Sequence, residues 1–309
     1  MKLARTAGCT RPSKFRLPDN TATVAILSAS IACAIAAGSG PEAVLRQVAE
    51  KLSRVWNQPV MVNNKPGGGG FIAMDAVQRL PADGYNLLQL DSEHLAAVPH
   101  LYKSKNFHTL SVFDPVATLF RTPFFITVAT DAKWKDMKDL LADAKANPGK
   151  LNYGSSGPGS SPHLAAELFN SMAGIKTVHV PYKGVSQYIT AQISNEIQFS
   201  FSNMFTTMPH WKAGRLKLLA TGGSKRMEAM PELPTVAEAG VPGADYVFWI
   251  GAFGPARMRP AVTERIHAEA FHFVRKQMMV LPLVLMVMFS ISLMSPVTVR
   301  RFAAQTRKL

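Results

Sequence analysis

Apolar and polar positions along this chain change their period repeatedly, from about two residues to about 3.6. Val44, Leu45, Val48, Leu52 and Val55 recur at helical spacing and predict a helix from Pro41 to Trp56. Pro41 suits its first turn and Glu42 complements its N-terminus. Pro59 to Asn63 reads as a short buried strand, Asn64 to Gly70 as a loop, and Phe71 to about Arg79 as a helix. Tyr85 to Leu90 is the next strand, after an Asp83-Gly84 turn. Further strands are predicted at 124–129, 151–154, 177–180, 197–202, 216–221 and 246–253. They alternate with helices at 137–146, 162–173, 186–194, 205–213 and 261–277. Strand, loop and helix in repetition predict an α/β fold with helices on the faces of a sheet.

The two ends break this rhythm. Residues 1–21 carry Lys2, Arg5, Arg11, Lys14 and Arg16 with almost no acid, and an apolar run from Ala22 to Ala37 follows. A basic segment, an apolar run and small residues resemble a secretory signal. The rival reading is a buried first strand. The run ends directly at Gly38-Ser39-Gly40-Pro41, so cleavage there would leave the following helix without its strand, and this favours the strand. Met278 to Val299 is almost wholly apolar, with Arg275 and Lys276 before it and Arg300 and Arg301 after it. Its length is enough to span a bilayer and anchor the chain; a buried helix or a segment altered by mutation are the other readings.

Composition narrows the function classes. Apolar residues make up 47% and charged residues 17%, which excludes a disordered or coiled-coil chain. A net charge of +14 raises nucleic-acid binding. The basic residues are spread out, however, with no Lys/Arg run interleaved with aromatics, so the reading is a generally basic surface and no nucleic acid. Cys9 and Cys33 form neither a disulfide framework nor a metal-ligand spacing. No metal site and no cofactor are expected.

Candidate chemistry lies in small-residue loops before helices. In Tyr153 to His163 a strand ends, Ser155, Ser156, Gly157, Gly159 and Ser160 turn the chain, and a helix begins. Small residues leave backbone N–H groups open to a ligand, hydroxyls add donors, and the helix N-terminus adds partial positive charge, so the loop reads as an anion cradle. Gly38, Ser39, Gly40 and Glu42 form a second loop of this kind, and Asn64 to Gly70 a third. No Gly-Lys-Ser/Thr follows the third, which argues against nucleotide hydrolysis. Catalysis has little support: neither a Gly-x-Ser-x-Gly elbow nor His-Glu-x-x-His occurs. His163 reads as a ligand contact or a packed residue, and Asp91-Ser92-Glu93-His94 as a polar rim. No catalytic residue is assigned.

Several stretches carry a family resemblance. They are Val48 to Leu52, Asn64 to Gly70, Ala82-Asp83-Gly84-Tyr85, Ala146 to Tyr153, the Ser155 to His163 loop, His179 to Gly184, and Leu233 to Gly240. In this order the chain resembles the extracytoplasmic receptors of tripartite tricarboxylate transporters, also called the Bug family. The resemblance implies a periplasmic-binding-protein-like Venus flytrap, two α/β lobes joined by two crossing strands. One lobe would comprise 22–125 and 246–309, the other 126–245, after a basic segment 1–21. It implies a periplasmic, non-enzymatic, monomeric receptor that captures a small carboxylate and delivers it to the transporter's membrane components. The pincers would be the Gly38–Glu42 and Ser155–His163 loops, with Ser92 and Asn203 also facing the cleft. The chain departs from the family pattern at Ala34-Ile35, where Pro-Phe is usual, at Glu42 for Asp, and at Ser202 for Asp. The apolar Met278–Val299 run stands where the family has charged helices.

Overall fold

The computed structural model describes residues 29–35, 37, 39–102 and 107–278. The first strand, β1 (Ala29–Cys33), lies between β2 (Val60–Asn64) and β3 (Asn86–Asp91) and runs parallel to both. The predicted first strand is therefore present within the apolar run. Its residues are nearly all buried because helices cover both faces of a parallel sheet. One cover is α1 (Gly40–Trp56), whose Leu45, Val48, Ala49 and Leu52 pack inward. Another is α2 (Phe71–Val77). Three short helices follow β3: α3 (Ser92–Ala96), α4 (Val98–Leu101) and α5 (Thr109–Val112).

The chain then enters β4 (Phe113–Ala129), which joins the two lobes. Its first half pairs antiparallel with β9 (Val247–Pro255), which in turn pairs with β3. Its second half pairs with β7 (Phe199–Asn203) and β8 (Leu216–Thr221). Beyond β7 lie β5 (Asn152–Ser155) and β6 (Val178–Pro181), both in parallel register. The second lobe carries α6 (Met137–Ala146), α7 (Ser161–Ala173), α8 (Val185–Ile193) and α9 (Met204–Lys212). The last described helix, α10 (Pro260–Met278), returns to the first lobe and packs on β4 and α1. The architecture is thus two α/β lobes on one curled mixed sheet, in strand order β2-β1-β3-β9-β4-β7-β5-β6 with β8 on β4.

The first half of β4 is absent from the sequence reading, which begins that strand at Phe124. Pro115 and Pro123 fall in the missed stretch, and proline argues against a paired strand. The structure accommodates this region with register shifts between Pro115 and Ala117 and between Thr118 and Phe120. The lobes join where Phe124 N–H donates to Tyr246 O, Gly222 N–H to Phe124 O, and Tyr246 N–H to Gly222 O. A Cβ at Gly222 would lie 2.9 Å from Tyr246 O, so three backbones meet there with no room for a side chain.

The Met278–Val299 run falls outside the described residues apart from Met278, as do Gly38 and the basic segment 1–21. Among the described residues, no helix is long and apolar enough to cross a membrane.

Candidate functional site

The Ser155–His163 loop is held by its own polar groups. Ser155 Oγ accepts from Gly157 N–H at 3.0 Å and pairs with His179 Nε2 at 2.6 Å. Ser160 Oγ donates to Gly157 O, and Gly159 N–H donates to His163 Nδ1 at 3.1 Å. Gly157 and Gly159 have φ of 114° and 78°, a region that disfavours any side chain. His163 packs at a tilt on His179 with centroids 4.2 Å apart, and Tyr153 lies against both rings. Burial pushes both imidazoles below their ordinary pKa, and in His179 the neighbouring His163 adds to this. Neutral rings therefore back the loop at neutral pH.

The loop ends at the N-terminus of α7, where it holds a carboxylate. Ser161 N–H and Ser161 Oγ–H both donate to Glu93 Oε2, the hydroxyl at 2.8 Å. Glu93 comes from α3 in the other lobe. Around it, Asp91 caps α3 by accepting from Glu93 N–H, and its Oδ1 lies 2.6 Å from His94 Nδ1. Burial alone would lower the His94 pKa, but the Asp91 carboxylate outweighs it and holds the imidazole above its ordinary value. Asp91, Glu93 and His94 have their ligating atoms within 4.8 Å of one another. Asp91 is already engaged with His94, and Glu93 with Ser161 across the junction.

The first-lobe loop is held in a similar way. Ser39 is the N-cap of α1, its Oγ accepting from Glu42 N–H at 3.4 Å. Glu42 is buried and accepts from Arg46. Asn203 caps α9, its Oδ1 accepting from Thr206 N–H and Oγ1. Gln89 Nε2 is buried with no hydrogen-bond partner in the described structure, and the Ser92 hydroxyl interacts with the Tyr246 phenol. The two lobes also touch at Gly40, where a Cβ would sit 2.5 Å from Phe205 Cβ, and at Gly159, where one would sit 2.3 Å from Leu101 Cδ1.

The four-glycine loop serves the site indirectly. Gly67 to Gly70 all have positive φ, and a Cβ at Gly70 would fall 2.1 Å from His94 Nε2. These glycines allow a tight turn and admit the His94 ring. Gly70→Ala is expected to cost about 1–3 kcal/mol through backbone strain and the displaced imidazole, read as a lower urea midpoint at unchanged slope. An unchanged midpoint would rule this role out.

The two predicted loops thus meet the opposite lobe at Gly40 and Gly159, with Ser92 directly after β3 and Asn203 at the end of β7. Glu93, Ser161, Phe205 and Leu101 were not assigned as site residues from the sequence. Glu93 was visible there only as part of a polar rim, because nothing local says that it reaches α7. A separate cavity of about 230 Å³ lies between β1, α1 and α10, lined by Trp56, Tyr85, Arg259 and Glu269 among others, and holds none of the predicted site residues.

The profile described as "Tripartite tricarboxylate transporter family receptor" matches residues 44–303. A UPF0065 protein from the tcbD-tcbE intergenic region of Pseudomonas sp. strain P51 is 32% identical over 75% of this chain and 69% of its own length. Among solved structures, R. palustris Rpa4515 with adipate superposes with a TM-score of 0.81 at 25% identity, covering 90% of this chain and 93% of the other. A structure described as a periplasmic transporter gives 0.78 at 28% identity, covering 91% and 93%.

Proposed function

This chain belongs to the tripartite tricarboxylate transporter receptor family, and from that premise we propose that it captures a small carboxylate between its lobes in the periplasm and delivers it to the membrane components of such a transporter. It acts by binding, as the family does, and not by turnover. The carrying observation is the carboxylate already seated at the N-terminus of α7, on Ser161 N–H and Oγ–H. Such donors hold an anion without burying a full opposite charge, whose desolvation would be costly. Adipate in the related Rpa4515 structure is the same chemical class.

In this reading the lobes are 22–125 with 246–309, and 126–245. Gly38, Ser39, Gly40 and Glu42 present one pincer; Ser155, Ser156, Gly157, Gly159, Ser160 and His163 present the other. Ser92 and Asn203 complete the walls. A ligand touching both pincers favours the closed arrangement over the open one.

The test is thermal denaturation of the purified chain with adipate, shorter and longer dicarboxylates, a tricarboxylate and aromatic acids. An acid present at about 100 times its Kd should stabilise the fold by about 2.7 kcal/mol and raise Tm by several degrees. Absence of any shift across the whole panel would remove carboxylate capture as the function.

A further inference from the structure

We infer that Glu93 is an internal occupant of the anion seat: its carboxyl group fills the Ser161 seat when the cleft is empty, ties the lobes together, and must be displaced by the ligand's carboxylate. This rests on the carboxylate-capture reading. Glu93 and Ser161 are 68 residues apart and belong to different lobes, yet one carboxylate oxygen takes both the amide and the hydroxyl of Ser161. Those are the donors an external carboxylate would use. The contact is part of a docked unit. Leu101, at the end of α4 and eight positions beyond Glu93, fills the space above Gly159 in the same loop. Glu93 thus seats in the cradle while Leu101 covers the turn beside it.

Glu93 is a strained occupant. Burial pushes its pKa up to about 7, the Asp91 carboxylate adds to this, and His94 and the Ser161 donors pull it back. From the β9 side, Tyr246 faces the same pair; burial raises its phenol, hydrogen bonds with Ser161 and Ser92 oppose this, and the Glu93 and Asp91 charges add to it. The sign follows from linkage. The latched form binds the Glu93 proton more tightly than a solvated carboxylate does, so latching is favoured at low pH and weakens as pH rises through about 7. An acid that keeps its charge at low pH then competes against a firmer latch.

The test uses the full chain, Glu93→Ala and Glu93→Gln, with small-angle scattering for lobe opening and calorimetry with adipate for binding. Wild type without ligand should be more compact at about pH 6 than at about pH 8. Glu93→Ala should be open at both, and Glu93→Gln, which keeps an accepting oxygen without the charge, compact at both. Adipate should bind Glu93→Ala at least ~10-fold more tightly than wild type at about pH 6. Weaker adipate binding by Glu93→Ala would make Glu93 a direct ligand contact and overturn the proposal. So would scattering and affinity that ignore residue 93 while adipate binds normally. If no acid of the panel binds any of the three proteins but scattering still follows residue 93, the latch stands and the capture reading falls.

Discussion

Phe169→Ala should lower stability by about 3–5 kcal/mol and Tm by roughly 10 °C. Phe169 is fully buried in α7, edge-on to Phe199 and 5.6 Å by centroid from Phe201. Phe199 in turn packs on Tyr153, the residue beneath the His163–His179 pair. Truncation would leave a cavity among rings that cannot collapse into it, because the backbones of β5 and β7 are fixed by their ladder. The helix that carries Ser161 would lose its anchor as well. Phe169→Leu, which keeps most of the volume, should cost only about 1 kcal/mol. Urea denaturation of both variants measures the difference, and an alanine variant within ~1 kcal/mol of wild type would show that this cluster does not carry the second lobe.

Gly40→Val should weaken carboxylate binding by about 10- to 100-fold by opposing the approach of the lobes. Gly40 opens α1 and faces Phe205 of α9 across the junction, where even a Cβ would come within 2.5 Å of the Phe205 Cβ. Phe205 cannot retreat freely, since it packs edge-on against Phe120. Crowding of this kind costs about 1–3 kcal/mol, and it applies only when the lobes meet. The double variant Gly40→Val with Phe205→Gly, which removes the opposing Cβ, separates closure from direct contact: it should bind within ~5-fold of Phe205→Gly alone. Binding that stays lost would mean that Gly40 touches the ligand itself and that the Phe205 contact is incidental.

Much of the fold was legible because its signals are local. The α6 helix matches its predicted bounds, Met137–Ala146, since Asp136 caps it and Asn147-Pro148-Gly149 ends it. The strands β5 to β8 fall within two residues of expectation for the same reason: apolar runs bounded by turn residues. Where local signals mislead, the reading failed. The prolines of β4 hid half of the strand that joins the lobes. The helices α3 to α5 are too short for a periodic pattern to show. The glycines of the third loop looked like an anion cradle, and the structure uses them to turn the chain and admit His94.

By itself the sequence determined the element order, the small-residue loops before α1 and α7, and, through its motifs, the family. These depend on side-chain periodicity, turn chemistry and capping, which act over a few residues. Only the tertiary structure decided what those loops face. The path of β4 and β9 between lobes brings α3 against α7, and so places the Glu93 carboxylate on Ser161 and Gly40 against Phe205. Such pairs follow from the register of a 17-residue strand and the packing of two lobes. Shifting that register by one residue would turn every side chain of the strand to the opposite face and separate the partners. No short-range pattern encodes that apposition, which is why the anion seat could be read from the chain and its internal occupant could not.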